Sequence, residues 1–135
     1  MPPFVRPLPE ITPRMAPFWS AAKRGRFAIQ RCSACGANYF PATDICSACL
    51  GSELVWVPAS GRAEVYSFVV MHHVYDPAFG DRVPYVVVDV RLEEGPHVIS
   101  RLEGVELDGV CIGMAVSVAF ERASEELDLP YFERC

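Results

Sequence analysis

Four cysteines form the pattern in this sequence with the clearest chemistry. They occur as two C-x-x-C pairs, Cys32 with Cys35 and Cys46 with Cys49, separated by ten residues. Each C-x-x-C turn directs two thiolates toward one point, and two such turns joined by a hairpin produce the four-sulfur site that zinc prefers. The sequence therefore predicts a structural metal site. Iron can take the same four thiolates, so the pattern leaves zinc or iron open.

A closed site of this kind has no free position for water or substrate, which argues against metal catalysis. A redox-active dithiol is the alternative interpretation of a C-x-x-C pair. The segment from Phe27 to Trp56 contains few large apolar side chains. We therefore expect the metal to supply most of its folding free energy, on the order of 10 kcal/mol. Cys111 and Cys135 stand outside the pattern and predict no site.

Other candidates for catalysis are few. The sequence has no G-x-S-x-G, no phosphate-binding glycine loop and no H-E-x-x-H. His72 and His73 fall in a predicted strand, where neighbouring side chains point to opposite faces and cannot converge on one ligand. The acidic pairs in predicted turns, Glu93-Glu94 and Glu125-Glu126, are typical of solvated surface. The sequence thus predicts a protein with no active site of its own.

The charge is divided unevenly along the chain. Residues 1–41 contain six basic side chains and one acidic, whereas residues 42–135 contain six basic and sixteen acidic. Affinity for nucleic acid comes largely from Lys and Arg on phosphates, so the acidic part of the chain disfavours a general nucleic-acid binder. With 51% apolar and 21% charged residues, the composition is that of a globular protein. We find no membrane-spanning run or signal peptide and expect a cytoplasmic location.

Several elements must position the cysteines. A proline-rich arm leads into a short helix from Ala16 to Gly25, with Lys23 and Arg24 closing its last turn. Short strands at Phe27–Arg31 and Glu53–Val57 flank the cysteine pairs. Alternating apolar residues then predict the strands of a small barrel, at Gly61–Tyr75, Pro84–Leu92, His97–Leu102, Met114–Arg122 and Leu129–Phe132, with a helical turn near Val105–Asp108.

Large apolar residues outside these strands are candidate contacts. Phe18 and Trp19 lie on the predicted helix and must be buried in the ribbon, in the barrel or against another molecule. Phe79 lies in a polar loop between two strands, where it is either a contact residue or a local cap on the barrel.

The order of these features resembles a known family, the acyl-CoA-associated proteins with an N-terminal helix, a rubredoxin-like zinc ribbon and an OB-fold, called domain of unknown function 35. The resemblance runs from Ala16 to Phe132. Its marks include Pro17-Phe18-Trp19, Gln30-Arg31-Cys32, Cys46-Ser47-Ala48-Cys49, Ser60-Gly61-Arg62, Tyr66-Ser67-Phe68, Pro84-Tyr85-Val86 and Leu129-Pro130-Tyr131-Phe132.

The resemblance implies a mainly β fold in three parts: arm and helix over residues 1–26, zinc ribbon over 27–57 and a five-stranded OB-fold barrel over 58–135. It further implies a non-catalytic accessory subunit of a thiolase- or aldolase-type enzyme, or of a hydratase-like one. Such a subunit helps to bind or channel acyl-CoA in lipid or steroid side-chain degradation. Coenzyme A carries phosphates, so Arg24, Arg26 and Arg31 are candidate contacts beside the aromatic residues. A single-stranded nucleic-acid-binding module is the alternative.

Overall fold

The computed structural model describes residues 8–74, 77, 80 and 82–135. Among the described residues, one short helix precedes eight strands, and a 3-10 turn at Leu107–Gly109 lies between the sixth strand and the seventh. The elements are α1 (Ala16–Ala22), β1 (Ala28–Cys32), β2 (Asn38–Tyr39), β3 (Leu54–Pro58), β4 (Arg62–Met71), β5 (Tyr85–Leu92), β6 (His97–Glu103), β7 (Ala115–Arg122) and β8 (Asp128–Arg134).

The strands form two sheets. The first is a three-stranded antiparallel sheet in the order β2-β1-β3, and the second is a closed barrel in the order β4-β5-β6-β8-β7. Among the described strand pairs of the barrel, only β6 and β8 run parallel. In that pair Leu102 lies opposite Phe132. The predicted fold class, a short helix, a zinc ribbon and a five-stranded barrel, is confirmed.

Strand β5 shows why the sequence folds into a barrel. Its apolar residues alternate, and the set at even positions is buried inside the barrel: Val86, Val88, Val90 and Leu92. The residues between them are half-buried or exposed. This period of two places one face of the strand in the core and the other toward solvent.

The sequence prediction and the structure differ clearly at the ends of the helix and of β4. The helix ends at Ala22. The N–H groups of Arg24 and Gly25 donate to the carbonyls three residues earlier, and Gly25 adopts a positive φ of 73°, so the chain turns there. Lys23 and Arg24 therefore lie in the turn after the helix. Strand β4 ends at Met71, whose partner Tyr85 is the first residue of β5.

The placement of the two histidines and the length of the last strand also differ from the sequence prediction. The prediction that His72 and His73 lie within a strand is wrong, since both follow the end of the ladder. Strand β8 is longer than predicted because it pairs with β7 along its whole length, from Asp128 opposite Arg122 to Arg134 opposite Val116.

The ribbon and the barrel share one hydrophobic core. Phe18 from α1 packs on Phe27 and Phe40 of the ribbon, with ring centroids 5.2 and 5.3 Å away. Phe27 in turn reaches Phe132 of the barrel at 6.4 Å. We call these four phenylalanines the aromatic joint, because through them the helix covers the contact between the two sheets.

Polar contacts fix the same junction. The backbone N–H of Ser60 donates to Glu94 Oε2 at 2.7 Å, and Asn38 Nδ2 donates to the Glu94 carbonyl at 3.1 Å. Gly61 follows at a positive φ of 82°, where an added Cβ would lie 2.8 Å from a methyl group of Val118. Only glycine fits there without displacing β7.

No helix of the described residues is long and apolar enough to cross a membrane.

Candidate metal centre and contact surfaces

The four cysteine sulfurs lie together at the end of the ribbon remote from the aromatic joint. All four Sγ atoms are within 4.8 Å of one another. The sulfur of Cys32 is 3.6 Å from that of Cys49, and the sulfur of Cys35 is 3.5 Å from that of Cys46. Cys32 and Cys46 are buried, whereas Cys35 and Cys49 are exposed.

The arrangement fits a tetrahedral metal. A zinc–sulfur bond of about 2.3 Å gives sulfur–sulfur separations of about 3.8 Å, close to those found between the two pairs. All four donors are thiols, so a metal held here would have no open position. The predicted ligands Cys32, Cys35, Cys46 and Cys49 are thus brought together, and a structural metal would hold the two turns in register.

Two matching turns direct the sulfurs. The N–H of Gly36 donates to the carbonyl of Cys32, and the N–H of Leu50 donates to the carbonyl of Cys46, both at 2.8 Å. Each turn needs a left-handed residue at that position. Gly36 meets the need at a φ of 81°, but Leu50 adopts a φ of 63° as a leucine that is 78% exposed.

The electrostatics of the four thiols explain why they need a cation. The hydroxyl of Tyr39, followed by backbone N–H groups, lowers the pKa of Cys46 to about 6 against the opposing effect of burial. The N–H of Gly51 lowers the pKa of Cys49, but the three other sulfurs outweigh it and raise that pKa to about 12. The cluster therefore does not hold four negative charges unless a cation lies between them.

Tyr39 contacts the sulfur cluster, and the sequence analysis did not find it. Its hydroxyl lies 3.0 Å from Cys46 Sγ and accepts hydrogen bonds from the N–H groups of Ser47 and Ala48 at 3.0 and 3.3 Å. The only signal in the sequence is an aromatic residue between the two cysteine pairs. Such a residue is equally typical of packing.

The two aromatic contact candidates on the helix differ in position. Phe18 is 1% exposed within the aromatic joint, so it has no surface to offer another molecule. Trp19 is half-buried, with its ring centroid 4.9 Å from that of Phe18 in an edge-to-face arrangement. Of this pair, only Trp19 remains a candidate for direct contact.

The three arginine candidates lie near the same helix and on the ribbon. Arg24 and Arg26 are exposed on either side of Gly25, and neither has an ion-pair partner within the part of the chain that the structure describes. Arg31 is also exposed, but its Nε donates to Asn38 Oδ1 at 3.0 Å. Lys23, Arg24 and Arg26 form an exposed cationic turn after α1, and Arg31 lies apart from it in β1. Phe79 lies outside the described residues.

The barrel carries a pair that the sequence analysis also missed. His97 Nδ1 lies 2.8 Å from Asp89 Oδ1, and the His97 ring meets the edge of Tyr66 with centroids 4.7 Å apart. Asp89 and His97 both lie on the outer face of neighbouring antiparallel strands. The register of the two strands brings them together, and register cannot be read from the sequence.

An open cleft of about 720 Å³ lies on the barrel near the divergence of β6 and β8. Its wall includes Ile99, which is 75% exposed, and Leu107, which is 39% exposed. Ser100 Oγ crosses the cleft to donate to the carbonyl of Pro130 at 3.0 Å. This cleft was not predicted from the sequence.

Comparisons with known proteins give two family matches. Residues 19–55 match the family described as "ChsH2, rubredoxin-like zinc ribbon domain", and residues 56–121 match "ChsH2, C-terminal OB-fold domain". The boundary between the matches falls inside β3.

Three individual proteins are similar over most of the chain. A "Probable enoyl-CoA hydratase alpha subunit" of Thermomonospora curvata is 40% identical over 128 residues, 95% of this chain but only 40% of that relative. A "DUF35 domain-containing scaffold protein" of Methanocaldococcus jannaschii is 35% identical over 99 residues, 73% of this chain and 70% of that protein. A chain of the solved "Ltp2-ChsH2(DUF35) aldolase" is 38% identical with a TM-score of 0.84, covering 94% of this chain and 98% of that one.

Proposed function

Because the chain belongs to the DUF35 family, we propose that it is a non-catalytic accessory subunit that binds a thiolase-superfamily enzyme of the thiolase or aldolase type. The similarity to the DUF35 chain of the solved aldolase carries this proposal, since it extends over 98% of that chain. The name of the Thermomonospora curvata relative makes a hydratase-like enzyme the second candidate partner. The enzyme that it assists would act in the degradation of lipid or steroid side chains.

The metal centre has a structural role in this proposal. Four thiolates would hold a zinc ion that fixes the two cysteine turns, and the ion would supply folding free energy rather than a reaction step. The reducing cytoplasm, which we propose as its location, keeps thiols available for metal. An absorption spectrum of the purified protein separates zinc, which is colourless, from iron.

The cationic turn supplies a surface for an acyl-CoA ligand. Lys23, Arg24 and Arg26 are exposed and surround Gly25, with the half-buried Trp19 one turn earlier. Coenzyme A offers phosphates to the guanidinium groups and an adenine ring to an aromatic face. Arg31 lies further along the ribbon as an additional cation.

The first experiment isolates the partner. The tagged chain is recovered from its own cells at moderate salt, and the retained proteins are identified by mass spectrometry. We expect a thiolase- or aldolase-type enzyme in near-equal amount. The two chains are then purified separately and mixed, and we expect the partner to gain turnover or thermal stability while this chain alone shows none. A partner that is fully active and stable alone would refute the accessory role.

The second experiment tests the ligand. In the reconstituted complex, the double variant Arg24→Ala, Arg26→Ala should raise the KM for acyl-CoA by about tenfold or more, since each lost charge-assisted contact is worth about 1.5 kcal/mol or more. Arg134→Ala removes an exposed arginine of the barrel and is the matched control. Equal KM values for the double variant and the control would remove the cationic turn from the proposal.

Binding of single-stranded DNA is the contrasting outcome. Affinity that falls steeply with salt, and that needs no partner enzyme, would favour the nucleic-acid module instead. The excess of acidic side chains after residue 41 leads us to expect no such binding.

A further inference from the structure

We propose that Tyr39 is a positioning residue of the metal centre, whose hydroxyl donates a hydrogen bond to the thiolate of Cys46 and stabilises the charge of the four-sulfur site. The oxygen of Tyr39 lies 3.0 Å from Cys46 Sγ. The inference rests on the geometry of the ribbon, so it does not depend on the partner enzyme.

The direction of the hydrogen bond follows from the other contacts of the hydroxyl. The Tyr39 oxygen already accepts the N–H groups of Ser47 and Ala48. Two donated bonds fill its acceptor capacity and leave its own proton to be given away. A metal-bound thiolate has no proton, so Cys46 can only accept. Ser47 Oγ, at 3.2 Å, is the other group within reach of the proton.

This hydrogen bond breaks the symmetry of the two cysteine turns. Backbone N–H groups of Cys35 and Ala34 favour the thiolate of Cys32, and that of Ala37 favours the thiolate of Cys35. In the second turn, the N–H groups of Cys49 and Ala48 act on Cys46 in the same way, and that of Gly51 acts on Cys49. Tyr39 adds a hydroxyl donor to Cys46, and among the described residues no side-chain hydroxyl lies within hydrogen-bond distance of Cys32.

The ribbon holds Tyr39 in place for this task. Tyr39 is one of the two residues of β2, and it pairs with Gln30 of β1. Its ring is half-buried, and the hydroxyl is fixed by donors from the turn that carries Cys46. One side chain therefore links the sheet to the second cysteine turn and needs little reordering when a metal binds.

The physical effect is on the net charge of the site. Four thiolates around a divalent cation leave two negative charges, and each donor to a sulfur disperses part of them. Partners that hold metal ligands in this way affect metal affinity by about 10- to 100-fold when they are removed.

The test compares three variants of the full chain: Tyr39→Phe, Ser47→Ala and Tyr66→Phe. Zinc affinity is measured by competition with a chromophoric chelator, and the sulfur-to-cobalt charge-transfer band is recorded after cobalt substitution. We expect Tyr39→Phe to bind zinc about 10- to 100-fold more weakly and to shift the band, because the thiolate loses its donor. Tyr66→Phe removes an exposed hydroxyl of the barrel and should behave as wild type.

Three outcomes would overturn the inference. Wild-type affinity and an unchanged band in Tyr39→Phe would show that the hydroxyl does not act on the sulfur. Weaker binding with an unchanged band would show that Tyr39 only supports the fold of the ribbon. A shifted band in Ser47→Ala with none in Tyr39→Phe would assign the role to Ser47 instead.

Discussion

The ribbon and the barrel are both small β-sheets, but different interactions stabilise them. The ribbon has strands of two to five residues, and its buried residues at the metal end are Cys32 and Cys46. The barrel has strands of seven to ten residues around buried valines and Phe132. Short strands bury little apolar surface, so we expect the ribbon, unlike the barrel, to depend on a metal for its stability.

The aromatic joint modifies this contrast. Phe27 and Phe40 belong to the ribbon, yet they pack with Phe18 and Phe132 in a core that continues into the barrel. The ribbon therefore has apolar side chains at the end near the barrel and the four cysteine sulfurs at its other end, the thiolate end. Only the thiolate end should depend on the metal.

Metal removal should have the largest effect. A strong chelator is expected to unfold the cysteine turns, since about 10 kcal/mol of binding free energy is lost, while the barrel keeps its strands. Both tryptophans, Trp19 and Trp56, pack against the shared core, so amide signals of Leu50 and Gly51 in NMR report the cysteine turns instead. Amide signals of β5 report the barrel. If the β5 signals vanish together with those of the cysteine turns, the two regions do not differ as described.

Truncation of Phe132 should have the next largest effect, in the opposite region. Phe132→Ala leaves a cavity between the barrel and Phe27, at an expected cost of about 3 to 5 kcal/mol in the free energy of unfolding. Urea denaturation of the cobalt-loaded protein should then abolish the barrel amide signals before the sulfur-to-cobalt band. Phe120→Ala, at a half-buried site of β7, is the matched control and should cost less. Loss of the cobalt band first would contradict the prediction.

Leu50→Gly should stabilise the ribbon. The left-handed backbone at Leu50 costs a leucine about 1 kcal/mol, and glycine removes most of that strain. Urea unfolding of the metal-loaded protein, followed by tryptophan fluorescence, should shift to slightly higher urea. Leu50→Ala keeps a Cβ and should give no gain; equal stabilisation by both variants would attribute the effect to the exposed side chain instead.

The pH dependence of the junction should be the smallest effect. Hydrogen bonds from Arg62 and then from Ser60 hold the pKa of Glu93 below its ordinary value. The carboxylate therefore contributes stability above its unfolded pKa, and this contribution is lost as the pH falls through the folded pKa. Both side chains are more than half exposed, so salt weakens the contribution. Glu93→Gln should be slightly less stable than wild type at neutral pH and equal to it in acid; a constant difference would exclude the linkage.

Regular patterns were predictable from the sequence, and contacts between distant residues were not. The spacing of the cysteines predicted that their four sulfurs come together, and the alternation of β5 predicted its buried face. Phe18 and Phe132 lie more than a hundred residues apart, so no local pattern shows that Phe27 connects them. The Asp89–His97 pair depends on strand register, and the Tyr39 contact depends on the reach of a side chain across the ribbon. The helix end was missed because a tight turn at Gly25 stopped it early.

The unequal exposure of the four cysteines has a kinetic consequence. Cys32 and Cys46 face the interior, whereas Cys35 and Cys49 face solvent. A competing thiol or chelator would reach a bound metal from the side of Cys35 and Cys49, so we expect ligand exchange to begin at these sulfurs while the other two retain the ion. We expect metal release to proceed by ordered steps, at a rate that rises with the concentration of the competitor.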